Sequence, residues 1–345
     1  MRSDTSVADF GATRKWFIIL KHIADTRRVR LYTRLHLETC HGATHMSWEP
    51  DQSVRYIKSV FHEYLAYSGI TPEWLRGKRV LEVGPGDNLG VAIEFLVHGA
   101  AQVTSVDGFF PSRNPAREMA IYQGLRSTYT PAQRRAFESA VRISDTVRFN
   151  PDRLTALYGI PIESARAKLD PMGFDLIVSR AVLTEVDDVE RAFATMDDCL
   201  RPGGYTVHKI APLHDYMLFR SYNYHPLEFL TVPEPWYTFM SAGAGKPKRR
   251  PLSYYLQQMS TRGYDCTGHV VKVLGVDVTF PPGKMVYSAL RPDTFRKTTE
   301  LINEIRPRLA STFRDLPWED LAAEDAFLIA QKPLPRRHSL ACDVT

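Results

Sequence analysis

Two short stretches of glycine and acidic residues carry the chemistry that is most directly readable in this chain. An apolar segment, residues 79–83, runs into Gly84-Pro85-Gly86, and the next apolar segment ends at Asp107. Glycines after a strand let bare backbone approach a ligand, and a carboxylate at the tip of the neighbouring strand can accept both hydroxyls of a ribose. We therefore expect a nucleoside-binding crevice at the carboxyl edge of a parallel sheet.

The spacing of the glycines bears on which nucleoside is bound. A dinucleotide fingerprint reads G-x-G-x-x-G, with the third glycine letting the helix pack closely behind a pyrophosphate. Here Gly84, Gly86 and Gly90 read G-x-G-x-x-x-G. The helix entry, Asp87-Asn88, suits an ammonium and amino-acid group better than a diphosphate, and Glu82 adds a second carboxylate. A NAD-dependent oxidoreductase is therefore the weaker alternative.

Three further segments follow in a recognisable order, namely residues 174–183, 200–205 and 324–333. With the glycine turn and Asp107, they make the chain resemble the class I S-adenosylmethionine-dependent methyltransferases. The three segments look like that family's fourth strand, the turn before its fifth strand and its closing antiparallel strand. The resemblance covers roughly residues 76–210 and the last quarter of the chain.

The resemblance implies an α/β fold and a cofactor, S-adenosylmethionine. The expected architecture is a doubly wound, mostly parallel seven-stranded sheet with a C-terminal antiparallel strand. Asp107 would hold the ribose, the glycine turn would lie beneath the ligand, and the adenine would rest near Ile162 and Glu163. The residues expected at the cofactor are Glu82, Gly84, Pro85, Gly86, Asp87, Asn88, Asp107, Gly108, Ile162, Glu163, Ser179 and Arg180.

Methyl transfer from a sulfonium is an in-line displacement, so the protein must align the acceptor and remove a proton from a hydroxyl or amine. Such chemistry requires neither a metal nor a covalent enzyme intermediate. After strand four many relatives carry Leu-Glu-His-Val, whereas residues 183–186 here read Leu-Thr-Glu-Val, which places Glu185 where the family histidine would be.

The segment after strand five supplies His208, His214 and Asp215. Histidine titrates near neutrality, so His214 or His208 could act as general base, with Asp215 orienting either one. Side chains alternate along a strand, so His208 could equally be an interior histidine. We expect the catalytic group to come from these residues or from Glu185.

The function expected from these residues is methylation of a small-molecule or glycan-like acceptor, at oxygen because of the nearby histidines. Two other classes stay open. One is an enzyme that uses the sulfonium cofactor for elimination or cyclisation; the other is a catalytically silent S-adenosylmethionine-binding regulator. The polar groups after strand five weigh against the regulator.

Composition sets outer limits on class and partners. A chain of 345 residues that is 44% hydrophobic can bury a large core, and a net charge of +5 permits an anionic substrate but falls short of a nucleic-acid footprint. The cysteines, Cys40, Cys199, Cys266 and Cys342, lack metal or redox spacing, which indicates free thiols in a reducing cytoplasm. No apolar run is long enough to span a bilayer and no secretory start is present, so we expect a cytoplasmic enzyme.

The chain divides into five expected parts: an N-terminal helical extension (1–75), the cofactor-binding core (76–210), an aromatic-rich insertion or lid (211–262), the completion of the sheet (263–334) and a tail (335–345). Predicted strands are 79–83, 102–107, 154–159, 174–179, 204–210, 268–274 and 324–332. Predicted helices are 52–67, 88–98, 113–124, 188–200 and 295–312, with an insertion of helical character over 130–150.

Three segments admit two interpretations each. A basic, apolar segment around residues 16–35 is expected to pack on the domain, although such a helix can also lie on a membrane. The aromatic residues between 216 and 255 could line the acceptor pocket or form the core of a small helical cap. The basic run Lys246–Arg250 is expected to be a solvated loop, with an anionic substrate group as the alternative.

Overall fold

The computed structural model describes residues 5–214 and 218–335, with side chains from residue 13 onward. The strands are β1 (Arg79–Val83), β2 (Gln102–Asp107), β3 (Val141–Ile143), β4 (Val147–Phe149), β5 (Leu154–Tyr158), β6 (Phe174–Arg180), β7 (Leu200–Ile210), β8 (Asp265–Val273) and β9 (Ala323–Gln331). The helices are α1 (Thr5–Arg34), α2 (Pro50–Ser68), α3 (Gly90–Val97), α4 (Pro115–Thr128), α5 (Pro131–Ala140), α6 (Val189–Cys199), α7 (Glu234–Ser241), α8 (Leu252–Ser260), α9 (Arg296–Ile305), α10 (Ser311–Arg314) and α11 (Trp318–Ala322).

One large sheet organises the chain. Its strand order is β5-β2-β1-β6-β7-β9-β8, with β5 to β7 parallel and β9 antiparallel to both of its neighbours. The chain leaves β1 toward β2 on one side and returns to β6 on the other, so the order reverses between β1 and β6. Ligands bind at such a switch point, outside the carboxyl ends of the strands. The predicted α/β fold, with its mostly parallel seven-stranded sheet, is confirmed.

Helix boundaries follow capping signals in the sequence. Pro50 begins α2, and Gly69 ends it in the left-handed conformation at φ +70°. Thr130 and Gln133 form a capping box at the start of α5, and the Asp188 side chain accepts the backbone N–H of Arg191 at the start of α6. These caps fix where the chain leaves each strand end and enters its helix.

Both faces of the sheet are covered. On one face α2, α3 and α4 bury Phe61, Phe95 and Tyr122 against the strands, and on the other α6 and α8 bury Phe193 and Tyr255. A sheet covered on both sides needs apolar strands throughout, and β6 is buried over all but its last residue. The strand ends are thereby held rigidly, which is what a site at this edge requires.

Two expected elements differ in detail. The insertion over 130–150 contains α5 followed by an antiparallel hairpin of β3 and β4, because its second half alternates β-branched and polar residues and is too short for a helix. The helix expected over 295–312 ends at Ile305, since Pro307 lacks the N–H that would continue it. Cys40, Cys199 and Cys266 are free thiols, and Cys342 lies outside the described residues.

The N-terminal extension packs on the domain. Ile18 and Ile19 of α1 are buried in the core, Trp16 meets the edge of Trp236 of α7 at 5.1 Å between ring centroids, and Thr26 donates to the Met240 carbonyl. The prediction that this basic segment packs on the domain is thus confirmed for one of its faces. None of the helices in the described residues is long and apolar enough to cross a membrane.

Candidate active site

A cavity of about 890 Å³ lies at the carboxyl ends of the central parallel strands. One wall is made by the residues that follow β1, β2, β5 and β6, which include Gly84–Gly86, Asp107 and Glu163. The opposite wall comes from α1, α2 and the segment 38–45 between them. The N-terminal extension therefore completes the cavity that the sheet begins.

Asp107 ends β2 at the floor of this cavity. Its Oδ2 accepts the Gly86 N–H at 3.1 Å and its Oδ1 accepts the Phe109 N–H at 2.9 Å. Burial raises the pKa of Asp107, against the lowering effect of these two hydrogen bonds. Each carboxylate oxygen keeps a second lone pair, so Asp107 can still accept two hydroxyls from a ligand.

Glu82 lies on β1 beside Asp107. Its carboxylate is buried and accepts the Ser105 hydroxyl at 2.8 Å. Burial, together with the charge of the nearby Asp107, raises the pKa of Glu82 to about 7 against the lowering effect of the Ser105 hydrogen bond. A cationic ligand in the cavity would stabilise the ionised form of this carboxyl group.

The glycine turn is constrained by the protein itself. Gly84 and Gly86 have φ of +76° and +68°, a region that favours glycine. A Cβ on Gly84 would lie 2.1 Å from Val182 Cγ2, and one on Gly86 would lie 2.5 Å from the Gly42 carbonyl oxygen. Bare backbone is therefore needed here to admit Val182 and the segment around Gly42.

The side chains of Asp87 and Asn88 also stabilise the glycine turn by accepting backbone hydrogen bonds. The Asp87 carboxylate accepts the backbone N–H groups of His45 and Met46 at 3.1 and 2.7 Å, and Asn88 Oδ1 accepts the Gly90 N–H at 2.8 Å. Both residues line the cavity. Asp87 thus ties the segment 38–45 to the glycine turn in addition to any contact with a ligand.

Replacing Gly86 by alanine tests this constraint. Gly86→Ala is expected to lower the free energy of unfolding by about 2–4 kcal/mol, from the strained φ and the collision with Gly42. Gly69→Ala is the matched control, because Gly69 has φ +70° but a Cβ there meets nothing within 4 Å. Chemical unfolding of both variants would separate the cost of backbone strain from the cost of the collision with Gly42. Equal decreases in the free energy of unfolding would show that the close approach of Gly42 is unimportant.

The loop after β5 brings the predicted adenine-binding residues to the cavity. Ile162 and Glu163 both line it, and Glu163 Oε2 is buried with no hydrogen-bond partner among the described residues. Burial raises the pKa of Glu163. Gly108 faces the same loop, and a Cβ on it would lie 3.3 Å from Pro161 Cβ. The structure therefore places Glu163 toward the cavity and leaves one of its oxygens available.

Ser179 and His208 lie inside the sheet, away from the cavity lining. Their side chains hydrogen-bond to each other at 2.8 Å, and neither is exposed. Burial lowers the pKa of His208 to about 3, and its ring meets the edge of Phe193. His208 is the interior histidine that strand alternation allowed, so this geometry supports neither a catalytic role for His208 nor a cofactor contact for Ser179.

His214 is likewise held in the protein rather than in the described cavity lining. Its Nδ1 lies 2.9 Å from Glu324 Oε1, which also accepts a hydrogen bond from Arg220 at 2.5 Å. The expectation that His214 reaches the pocket therefore finds no support here. Asp215, its expected orienting partner, lies outside the described residues.

Glu324 gives a stability prediction with a defined pH dependence. Although burial raises its pKa, hydrogen bonds from His214 and Arg220 outweigh burial and lower the pKa from 4.5 to about 2. Stabilisation by this carboxylate is therefore complete above 4.5 and is lost as the pH falls toward 2. Glu324→Gln is expected to cost about 2 kcal/mol at neutral pH, after allowance for solvent screening.

The measurement is chemical unfolding at neutral and strongly acidic pH. The difference between Glu324→Gln and wild type should shrink as the pH falls through the window given above. Glu300→Gln is the control, since Glu300 makes only an exposed i,i+4 pair with Arg296. A Glu324→Gln penalty that is the same at both pH values would refute the ionic origin of the stabilisation.

Among the predicted catalytic residues that the structure describes, Glu185 lines the cavity. Burial raises its pKa to about 8, with Lys248 acting in the opposite direction and Asp107 adding to the increase. Arg180, expected at the cofactor, also lines the cavity and donates to Glu63 at 2.7 Å. A protonated Glu185 can donate a hydrogen bond at neutral pH.

Three histidines that the sequence analysis missed line the opposite wall: His22 on α1, and His41 and His45 on the following segment. Each has one buried ring nitrogen, Nε2 of His22 and His41 and Nδ1 of His45, with no hydrogen-bond partner among the described residues. Burial lowers all three pKa values, that of His22 to about 4. Neutral imidazoles with a free nitrogen are suitable proton acceptors.

The aromatic segment 216–255 forms a helical cap more than a ring-lined lid. Phe219, Phe229, Tyr237 and Tyr255 are buried in the core, and no aromatic ring of the segment's described residues lines the cavity. Of the described residues of the segment, Leu218, Gly243, Gly245 and Lys246 line the cavity. The rings of the described cavity lining come instead from Tyr32, Tyr56, Tyr64 and Phe109, together with the three histidines.

The basic run Lys246–Arg250 is solvated only in part: Arg250 is exposed, whereas Lys246 and Arg249 are buried. Lys246 is buried, and its ammonium contacts the His22 carbonyl, the Thr26 hydroxyl and Asp25 Oδ2 at 3.0–3.1 Å. Arg249 is buried against the Tyr237 ring at 3.7 Å and donates to backbone carbonyls. The three ammonium hydrogens of Lys246 are thus engaged within the protein, which leaves none for an anionic substrate group.

The sheet order, the glycine turn and the carboxylate at the end of β2 together define a class I S-adenosylmethionine-dependent methyltransferase fold. Comparison with protein families agrees: a model described as a methyltransferase domain matches residues 55–267. The chain therefore belongs to this S-adenosylmethionine-dependent methyltransferase family. No curated protein sequence matches the chain.

Solved structures include similar folds. The phosphoethanolamine N-methyltransferase 2 of Haemonchus contortus, in complex with S-adenosyl-L-methionine, has 14% sequence identity and a TM-score of 0.42, and the match covers 82% of this chain and 56% of that one. An S-adenosylmethionine-dependent methyltransferase of Mesorhizobium loti has 16% identity and a TM-score of 0.36, covering 76% and 99%. The present chain thus spans little more than half the length of the Haemonchus protein.

Proposed function

We propose that this chain transfers a methyl group from S-adenosylmethionine to a hydroxyl of a small-molecule or glycan-like acceptor held in the cavity. The observation that carries the proposal is that one cavity joins the Asp107 carboxylate to buried histidine nitrogens without partners. A cofactor-type floor and a wall that carries proton-accepting groups, joined in one cavity, are what methylation of an acceptor hydroxyl needs.

The floor of the cavity fits the cofactor. Asp107 would accept the ribose hydroxyls, Glu82 would face a cationic part of the ligand, and the free oxygen of Glu163 would accept from the adenine amine. When bound, S-adenosylmethionine supplies a methyl group already activated on a sulfonium. The carboxylates around the floor favour such a cation electrostatically.

The size of the cavity leaves room for a second ligand. Small-molecule sites are roughly 300–1,000 Å³, and about 890 Å³ lies near the top of that range. The wall formed by α1 and the segment 38–45 is the part that the cofactor floor does not use. We place the acceptor against this wall, which bears His22 and His41.

The proton of the acceptor hydroxyl would pass to a histidine of this wall. Burial keeps the ring of His41 neutral, and its Nε2 is free to accept. The segment that carries His41 is anchored to the cofactor turn, because the Asp87 N–H donates to the Gly42 carbonyl at 2.9 Å. The ring also packs against Phe109, two residues beyond Asp107. His41 therefore joins the two halves of the cavity and is our choice of general base.

The decisive experiment incubates the protein with S-adenosylmethionine carrying an isotope-labelled methyl group and a panel of hydroxylated metabolites and glycans. S-adenosylhomocysteine should form together with a product whose methyl group has the NMR shift of an oxygen-bound carbon. A nitrogen- or carbon-bound label would correct the acceptor atom. Cofactor breakdown without label transfer would favour elimination or cyclisation, and binding without turnover across the panel would favour a regulator.

A further inference from the structure

Helix α1 has two different faces. Its inner face contributes His22, Asp25 and Val29 to the cavity lining. Its outer face carries a second apolar stripe, exposed to solvent: Phe17 is 68% exposed, Leu20 56% and Leu31 53%. Spacings of three and eleven residues place these three side chains on one side of the helix, and Leu35, 58% exposed, follows directly after the helix ends.

Basic residues border this stripe on both sides. Between residues 13 and 35 the chain has seven basic residues and one acidic residue, Asp25. At about 100° per residue, Arg14, Lys21 and Arg28 follow one edge of the stripe, where Arg14 and Lys21 donate to Tyr222 and Arg28 pairs with Asp25 at 2.8 Å. Arg27 and Arg34 follow the other edge, are exposed, and form no ion pair with any described residue. An apolar stripe between two cationic edges is the pattern of a helix that lies in a membrane interface.

Helix α7 extends the same surface. Trp236 is 41% exposed and Phe239 61%, and Trp236 contacts Trp16, which is itself 43% exposed. Tryptophan is enriched where an apolar layer meets water, because its ring is apolar and its N–H is polar. Two adjacent helices thus present exposed aromatic side chains together with unpaired arginines.

We propose that the outer face of α1, with Trp236 and Phe239 of α7, docks on an anionic phospholipid surface. The charge selects this partner: a second copy of the chain would present the same cationic edges and be repelled, whereas anionic headgroups would neutralise them. The apolar stripe inserts at the headgroup boundary while the arginine stems snorkel to the phosphates. This inference is independent of the acceptor atom proposed above.

Docking of α1 on a membrane would also affect how an acceptor reaches the cavity. Because α1 is a wall of the cavity on its inner face and the membrane-facing helix on its outer face, the cavity would lie one helix diameter, about 10 Å, from the headgroups. An acceptor that is itself amphiphilic could then reach the cavity without leaving the interface. The binding of the helix to vesicles is the step to be tested first.

The test is co-sedimentation of the full chain with phosphatidylcholine vesicles, with and without phosphatidylglycerol. We expect binding to the anionic vesicles that weakens steeply with added salt. Phe17→Ser with Leu20→Ser should weaken it at least about tenfold, and Arg27→Glu with Arg34→Glu should do the same. None of these four side chains lines the cavity.

The matched control is Met172→Ser with Val278→Ser, since these apolar residues are as exposed but stand elsewhere on the surface. S-adenosylhomocysteine binding and thermal unfolding verify that each variant is folded. Equal vesicle binding by wild type and the stripe variants would overturn the proposal, as would absence of binding by the wild type. A stripe that instead holds two copies together would appear as a dimer, monomeric only in Phe17→Ser with Leu20→Ser, and would also overturn it.

Discussion

Asp107→Ala is expected to weaken the binding of S-adenosylhomocysteine by about a hundredfold. A hydrogen bond to a charged group contributes roughly 1.5–3 kcal/mol, so losing two ribose contacts costs about 3 kcal/mol or more, which is at least about a hundredfold in Kd. The same carboxylate accepts the Gly86 and Phe109 N–H groups, so its removal also frees the glycine turn on which we propose that the cofactor binds.

Titration calorimetry with S-adenosylhomocysteine measures this effect directly. Asp107→Asn retains one acceptor oxygen and should lose less affinity than Asp107→Ala. Asp145→Ala is the control, because Asp145 is exposed in the β3–β4 turn and away from the cavity. Thermal unfolding of each variant distinguishes the loss of contacts to the ligand from destabilisation of the fold. Unchanged affinity in a folded Asp107→Ala protein would remove Asp107 from the cofactor site.

The parallel sheet and its crevice could be predicted because local patterns determine them. A buried parallel strand is apolar along its length, and its end is marked by the residues that must turn or bind, such as Gly84 and Asp107. Glu163 and Glu185 also follow strand ends, and the family resemblance placed them near the crevice without any knowledge of the packing. Both line the cavity.

The opposite wall could not be predicted, because it depends on contacts between distant parts of the chain. His22 meets Lys246 across more than two hundred residues, and Gly42 meets the turn at Gly86. The basic, apolar segment around residues 16–35 was expected to pack on the domain, but apolar residues lie on two faces of α1, and the sequence does not say which face packs. Proximity in sequence favoured His208 and His214, whereas the fold directs both into the protein interior.

The position of the aromatic segment 216–255 could not be predicted from the sequence either. A cluster of rings and prolines is compatible with a pocket lining and with a cap core, since composition does not fix the direction of a side chain. In the structure Tyr237 and Tyr255 are buried in the core, whereas the small residues Gly243 and Gly245 line the cavity. A Cβ on Gly245 would lie 2.9 Å from the His41 ring, so small residues at this point leave space for that histidine.

His41→Gln is expected to lower kcat by about a hundredfold or more, with S-adenosylhomocysteine affinity unchanged within about twofold. Glutamine keeps hydrogen-bonding capacity in a side chain of similar reach but cannot take up a proton at neutral pH. His36→Asn is the control, because His36 belongs to the same inter-helix segment, contacts the Phe110 ring and does not line the cavity. The acceptor is the one identified by the labelled-methyl experiment.

The pH dependence separates His41 from Glu185. Burial lowers the pKa of His41, so its base form is present at neutral pH, and kcat/KM should be level there and fall only in acid. The pKa of Glu185 is about 8, so a rate that depended on its ionised form would instead rise as the pH increased through about 8. If the fall of kcat/KM at acidic pH is absent in His41→Gln, that fall is assigned to protonation of His41. A rise near 8 that is abolished in Glu185→Gln would transfer the role to Glu185, since only an ionised carboxylate there could accept the proton.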